Sequence, residues 1–201
     1  MQKKVNVRFL TVTAILAAVS AVLMYLDFSV PLVPGFLKMD VSEFPALLAA
    51  FSMGPLSGVA VCFLKNLVHL TATSTAGAGE LANFLLGVCF VLPAGLLYKK
   101  HRTFKGAMAA AGVGTVAMAL LSLPVNLLIS YPAYTLFYGL STEAILGMYQ
   151  VFLPWVKELW QALLIFNVPF TVVKGLLSVL VTFLLYKRLS PIIKGGKGKE
   201  Q

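Results

Sequence analysis

The chain has 201 residues, of which 59% are hydrophobic and 11% charged, and its mean hydropathy is +0.90. A soluble domain carries about 25% charged residues, so this composition excludes a water-soluble globule. The net charge of +9 is unevenly placed along the chain and reads as a topology signal rather than as an affinity for nucleic acid.

The apolar runs lie near the roughly 20 residues a helix needs to cross a bilayer, and none alternates as barrel strands do. They predict an all-α membrane protein, a single integral-membrane domain over 1–201, with spans at 7–26, 41–53, 56–72, 81–98, 106–129 and 168–186. The first run is as long as a full span and lacks a small-x-small site followed by a polar region, which argues against a cleaved leader. The second is short, bounded by Asp40 and Glu43 before it and by the breaker Gly54-Pro55 after it. Between the fifth and sixth spans, 140–166 is amphipathic and holds Trp155 and Trp160 around Lys157 and Glu158, which predicts an interfacial loop or short helix. The basic tail 190–201 is predicted to be disordered.

Charge sets an expected orientation. Lys3, Lys4, Arg8, Lys99, Lys100, Arg102, Lys105, Lys187, Arg188, Lys194, Lys197 and Lys199 fall on one side with the single acid Glu200. Asp27, Asp40, Glu43, Glu80, Glu143 and Glu158 fall on the other with Lys38 and Lys157. Both termini are therefore expected in the cytoplasm, as an even number of crossings requires.

Polar side chains inside spans are functional candidates by default. Here they are Lys65, Asn66 and His69 in the third span, Asn83 in the fourth, Asn126 in the fifth, and Thr171 and Lys174 in the sixth, after an Asn167-Val168-Pro169 entry that reads as a helix start. At 1.5 Å per residue, Asn83, Asn126, Thr171 and Lys174 lie within roughly 10 Å of the outer surface. The inner halves, 106–121 and 176–185, carry almost nothing that hydrogen-bonds. An outward-opening site on a sealed apolar floor suits capture, not conduction.

Structural alternatives stand beside this reading. Asn66 and Asn83 can pair as interhelical glue, Lys65 can neutralise an acid, and Cys62 and Cys89 fit as small core residues. His69 and His101 fall on opposite sides, so no metal site assembles. No phosphate-binding glycine loop, nucleophile elbow or paired intraspan carboxylates occur, and no catalytic residues are assigned. In the first span, Thr13, Ala14, Ala17, Ala18 and Ala21 form interleaved small-xxx-small pairs, suited to close helix approach either within the bundle or to a partner.

Several short motifs follow one another in order: Ala14-xxx-Ala18, a loop ending Lys38-Met39-Asp40, Phe44-Pro45-x-Leu47-Leu48-Ala49, Gly54-Pro55-x-Ser57-Gly58, Lys65-Asn66, Gly79-Glu80-x-x-Asn83-Phe84, Asn126 and Lys174-Gly175. Together they resemble the substrate-binding S component of energy-coupling factor (ECF) transporters, and within that family its riboflavin-binding members. The resemblance implies a six-helix bundle in the bacterial plasma membrane, with a short second helix at 43–53 and an extracellular lid around 36–40. It implies that riboflavin is the transported substrate, bound without cofactor or chemistry, and that a transmembrane T protein and two cytoplasmic ATPases supply the energy. Asp40, Asn126 and Lys174 would then touch the ligand, the backbone near Gly79 would approach its ring, Asn83 and Thr171 would complete the site, and Ala14 and Ala18 would face the T protein. Thr171 stands where the resemblance leads one to expect an amide, so thiamine, biotin, folate or a queuosine precursor remain alternative ligands. An autonomous ion-coupled carrier is the alternative class; such carriers usually show midplane acids and paired broken helices, which this sequence lacks.

Overall fold

A computed structural model describes residues 7–31, 33–35, 37–73 and 75–194, with side chains as far as Tyr186. Lys3, Lys4 and Phe36, and residues 195–201 of the expected tail, lie outside the described residues; 190–194 belong to the last helix.

Helix α1 (Val7–Tyr25) leads into a two-residue antiparallel pair, β1 (Phe28–Ser29) and β2 (Lys38–Met39), with Phe28 opposite Met39 and Ser29 opposite Lys38. This small hairpin is the one addition to the expected all-α fold among the described residues. Helix α2 (Glu43–Met53) follows, and its 11 residues are buried from Glu43 to Phe51. A helix enclosed on all sides has no amphipathic face, which is why its sequence is apolar all round. Gly54, at φ 111°, adopts a backbone conformation that disfavours side chains and turns the chain into α3 (Pro55–His69), whose first residue is a proline suited to that position. A Cβ on Gly58 would lie 2.8 Å from Ala50 Cβ and 2.9 Å from Ala46 O, so α2 and α3 touch at backbone distance.

A short 3-10 turn (Leu70–Ala72) ends α3, and α4 (Ala78–Lys100) and α5 (Phe104–Val125) form the next antiparallel pair. The fifth span does not stop at 129 as expected. It passes through a π-helical turn, Asn126–Ser130, into α6 (Tyr131–Tyr138). Helix α7 (Thr142–Gln150) follows, with Ser141 accepting the Ala144 N–H at its start. The interfacial reading of 140–166 therefore holds only in part: α8 (Leu159–Ala162) opens a continuous apolar rod that runs through a second π-turn, Leu163–Asn167, into α9 (Val168–Lys194). Asn167 is thus not a helix cap but an interior residue.

Both π-turns are followed by the same device, a proline two residues after the turn's last residue: Ser130-Tyr131-Pro132 and Asn167-Val168-Pro169. Proline has no N–H and its ring crowds the carbonyl four residues earlier. A widened turn just before it relieves that clash, so each helix continues through its proline.

Five helical rods are long and apolar enough to cross a membrane: Val7–Tyr25, Pro55–Ala72, Ala78–Lys100, Phe104–Tyr138 and Leu159–Tyr186. The shorter apolar α2 sits among them. The core is built of Ala46, Leu47, Leu48, Val61, Cys62, Phe90, Val91, Ala94, Ala110 and Ala111, and this abundance of alanine lets the rods pack closely.

Candidate functional site

At the end of the bundle where α2 and α4 begin, the rods splay around a cavity of about 230 Å³. Its wall contains Asp40, Gly79, Asn83, Asn126, Thr171 and Lys174, so residues as distant in sequence as Asp40 and Lys174, 134 positions apart, share one chamber. Glu43, His69, Glu80, Ser130, Tyr131, Tyr134, Asn167 and Phe170 also line it, with Met24, Leu37, Leu86 and Met118 as apolar surface.

The π-turns explain why two rods contribute so many groups. On a regular helix, residues five apart point well away from each other, whereas a π-turn bonds i to i+5 and brings them round. Asn126, Ser130 and Tyr131 all reach the cavity by this means, and beyond the second turn Asn167, Phe170, Thr171 and Lys174 form an ordinary helical face.

Lys174 is only 9% exposed and its Nζ donates to Asp40 Oδ2 at 2.7 Å. Asp40 Oδ1 accepts from the Ser42 N–H at 2.8 Å and the Ser42 hydroxyl at 2.5 Å. The same hydroxyl accepts from Lys65 Nζ at 2.7 Å, and Lys65, fully buried, also donates to Glu43 Oε1 at 2.5 Å. Two lysines and two carboxylates thus form one neutral chain linking α9, the β2–α2 junction, α2 and α3. Burial alone would raise the Asp40 pKa, but the charges of Lys174 and Lys65 and their hydrogen bonds, with that of Ser42, overcome it and hold Asp40 at about 2. Ser20 Oγ donates to the Ser42 carbonyl at 2.5 Å, tying the junction to α1 as well.

A second cluster shapes the α3–α4 loop. Glu80 Oε1 lies 2.9 Å from His69 Nδ1, while Glu80 Oε2 accepts from Thr73 and Thr75 hydroxyls at 2.9 and 3.0 Å. Thr75 Oγ1 in turn accepts the Gly79 N–H at 2.9 Å. A Cβ on Gly79 would meet that hydroxyl at 2.7 Å, so this position is spatially committed to glycine. A third cluster joins the two π-turns: Tyr149 donates to Asn167 Oδ1 at 2.7 Å, Asn167 Nδ2 donates to the Tyr131 hydroxyl at 3.2 Å, and the two phenols hydrogen-bond each other. Burial pushes the Tyr149 phenol far above its usual range, with the neighbouring Tyr131 adding to the effect. It therefore stays protonated as a donor.

The expected residues fall into two conditions. Asp40 and Lys174 are already engaged with each other. Asn126 donates back to the Ser122 carbonyl at 2.7 Å, and Asn83 Oδ1 is buried with no hydrogen-bond partner among the described residues. Asn66 does not turn to the cavity but donates to Cys62 O at 2.8 Å. Lys174 lies well inside its rod, which starts at Leu159 and not at the expected Asn167-Val168-Pro169 entry. Sequence reading missed Tyr131, Tyr134 and Phe170 as cavity residues because aromatics are abundant in every span. The signal available was a polar residue two positions before a proline at both places, Ser130 before Pro132 and Asn167 before Pro169.

On α1 the small residues divide. Thr13, Ala17 and Ala21 are buried toward the bundle, whereas Ala14 and Ala18 are exposed beside Leu10, Ile15, Val19 and Val22.

Comparison with known proteins agrees with this architecture. The family described as the ECF transporter, substrate-specific component, matches residues 8–186. The chain is 34% identical to the riboflavin transporter FmnP of Bacillus subtilis over 192 residues, covering 94% of this chain and 95% of that protein. It is 30% identical to the riboflavin transporter RibU of Staphylococcus aureus, covering 94% and 93%. A solved structure of the S component of a bacterial ECF transporter superposes with a TM-score of 0.72 at 28% identity, covering 92% of this chain and 97% of that one. The expected resemblance is therefore correct, and this chain belongs to the family of substrate-specific components of ECF transporters.

Proposed function

We propose that the cavity captures riboflavin outside the cell and that the chain is the riboflavin-specific S component of an ECF transporter. The observation that carries this reading is the convergence of Asp40, Gly79, Asn83, Asn126, Thr171 and Lys174 on one chamber in a chain whose relatives over nearly full length are riboflavin transporters. Riboflavin presents imide and ring acceptors, ring N–H and polyol hydroxyls. Lys174 offers only donors, Asp40 only acceptors and the asparagines both, and Phe170, Tyr131 and Tyr134 supply flat apolar surface.

In this reading α2 is a sixth, short crossing, both termini are cytoplasmic, and the hairpin around β1 and β2 with Asp40 at its base is the lid. The protein carries no chemistry and no cofactor of its own. It delivers its ligand by docking on a transmembrane T protein driven by two cytoplasmic ATPases, through the exposed Ala14 and Ala18. That face is supported by its exposure and by the separate burial of the Thr13, Ala17 and Ala21 row.

The test is direct. Protein purified from cells supplied with riboflavin is expected to be yellow with a flavin absorption band, and protein stripped of ligand is expected to rebind riboflavin but not thiamine or biotin. Colourless protein that ignores riboflavin and binds another vitamin would move the assignment within the family.

A further inference from the structure

A second cavity, of about 460 Å³, lies at the opposite end of the bundle, between the α2–α3 corner and the last turn of α4. Its walls are Phe9, Phe51, Met53, Pro55 and Leu56, backed by Gly95, and its polar groups include Lys99 and Arg102 at the rim. We propose that this cavity is a binding site for one anionic phospholipid, its headgroup phosphate held by Lys99 and Arg102 and its upper acyl chain lying on the apolar wall.

Three features support a lipid over other occupants. First, the acids Asp27, Asp40, Glu43, Glu80, Glu143 and Glu158 all lie toward the other end, and neither Lys99 nor Arg102 has a carboxylate within 4 Å among the described residues. None of the described carboxylates supplies their counter-charge. Second, the cavity joins an apolar wall to a cationic rim. A free phosphate has no use for the wall and a neutral lipid has little use for the rim, whereas basic pockets between membrane helices suit anionic headgroups. Third, Leu56 is 75% exposed at the cavity edge, which in a membrane opens the site sideways to the lipid acyl region. None of this depends on the identity of the transported ligand, because no residue is shared between the two cavities.

The experiment uses the full chain in neutral detergent, offered phosphatidylglycerol or phosphatidylcholine of the same acyl chains, with retained lipid counted by native mass spectrometry. The expected result is one phosphatidylglycerol retained in preference to phosphatidylcholine. Lys99→Gln with Arg102→Gln should reduce that preference by about thirtyfold, the combined effect of two basic residues near an anionic headgroup. Lys100→Gln with Lys105→Gln, the same change of charge away from the cavity, should leave it intact. Equal loss in both variants would show diffuse surface charge and overturn the site. Displacement of the lipid by millimolar glycerol phosphate would show a phosphate site without an acyl groove, overturning the lipid assignment.

Discussion

Lys174 does not wait in an empty chamber; it is bound to Asp40 at 2.7 Å. A ligand that uses the lysine must therefore share or replace that contact, and the two residues act as one unit. Lys174→Met is expected to weaken riboflavin by at least tenfold, or about 1.4 kcal/mol. Lys174→Met with Asp40→Asn, which removes both charges, should recover thermal stability without recovering affinity. Calorimetric titration and melting of both variants check this; recovered affinity would make the pair structural only. Asp40 also sets a pH signature. Its pKa in the fold, about 2, is below its ordinary 3.8, so the stability it contributes is complete above about pH 4 and lost as pH falls from there toward 2. The melting temperatures of wild type and Asp40→Asn should therefore differ most at neutral pH and converge across that window.

Lys65 makes a different prediction. Fully buried between Glu43 and Ser42, it lies outside the first cavity's wall. Removing one partner of a buried pair leaves a stranded charge. Lys65→Met is thus expected to destabilise the fold by about 3–5 kcal/mol, and Lys65→Met with Glu43→Gln by much less. Chemical denaturation of the pair of variants measures it. The sequence marked Lys65 as either functional or neutralising an acid, and the structure shows the second. Glu43 was legible only as a helix-start charge, because nothing in one sequence says that α3 passes beside the start of α2.

At the level of elements, α1 and the proline-bearing rods carry the testable content. Ala14→Trp with Ala18→Trp places bulk on the exposed row of α1, away from the cavity. Riboflavin binding by the purified protein should be unchanged while uptake in cells carrying the transport partners is abolished. Loss of both would return the row to internal packing. The helices in the first hundred residues were legible to within a few positions, since each is one apolar run between breakers. The last two rods were not. Proline at 132 and at 169 reads as a boundary, and only the widened turns before them, beside which Tyr131, Tyr149 and Asn167 hydrogen-bond one another, let the helices continue. Asn167→Leu removes that link and is expected to lower stability by about 1–3 kcal/mol, seen as a lower denaturation midpoint.

For the whole molecule, the two π-turns mean that a rod can differ in length by one residue while the chamber keeps the same side chains. A turn of this kind behaves as a one-residue insertion in a helix, absorbed locally without disturbing the ends. Excising Leu128, 75% exposed and outside the cavity wall, would let the rod revert to regular α-helix, with Asn126 and Tyr131 then four apart and so on one face. Tyr131 and Tyr134 would keep their places in the chamber, whereas a one-residue deletion inside a regular helix rotates everything beyond it by about 100°. Such bundles can therefore gain or lose a single codon at a widened turn and keep their chamber, a change that comparison of aligned residues alone would record as a gap.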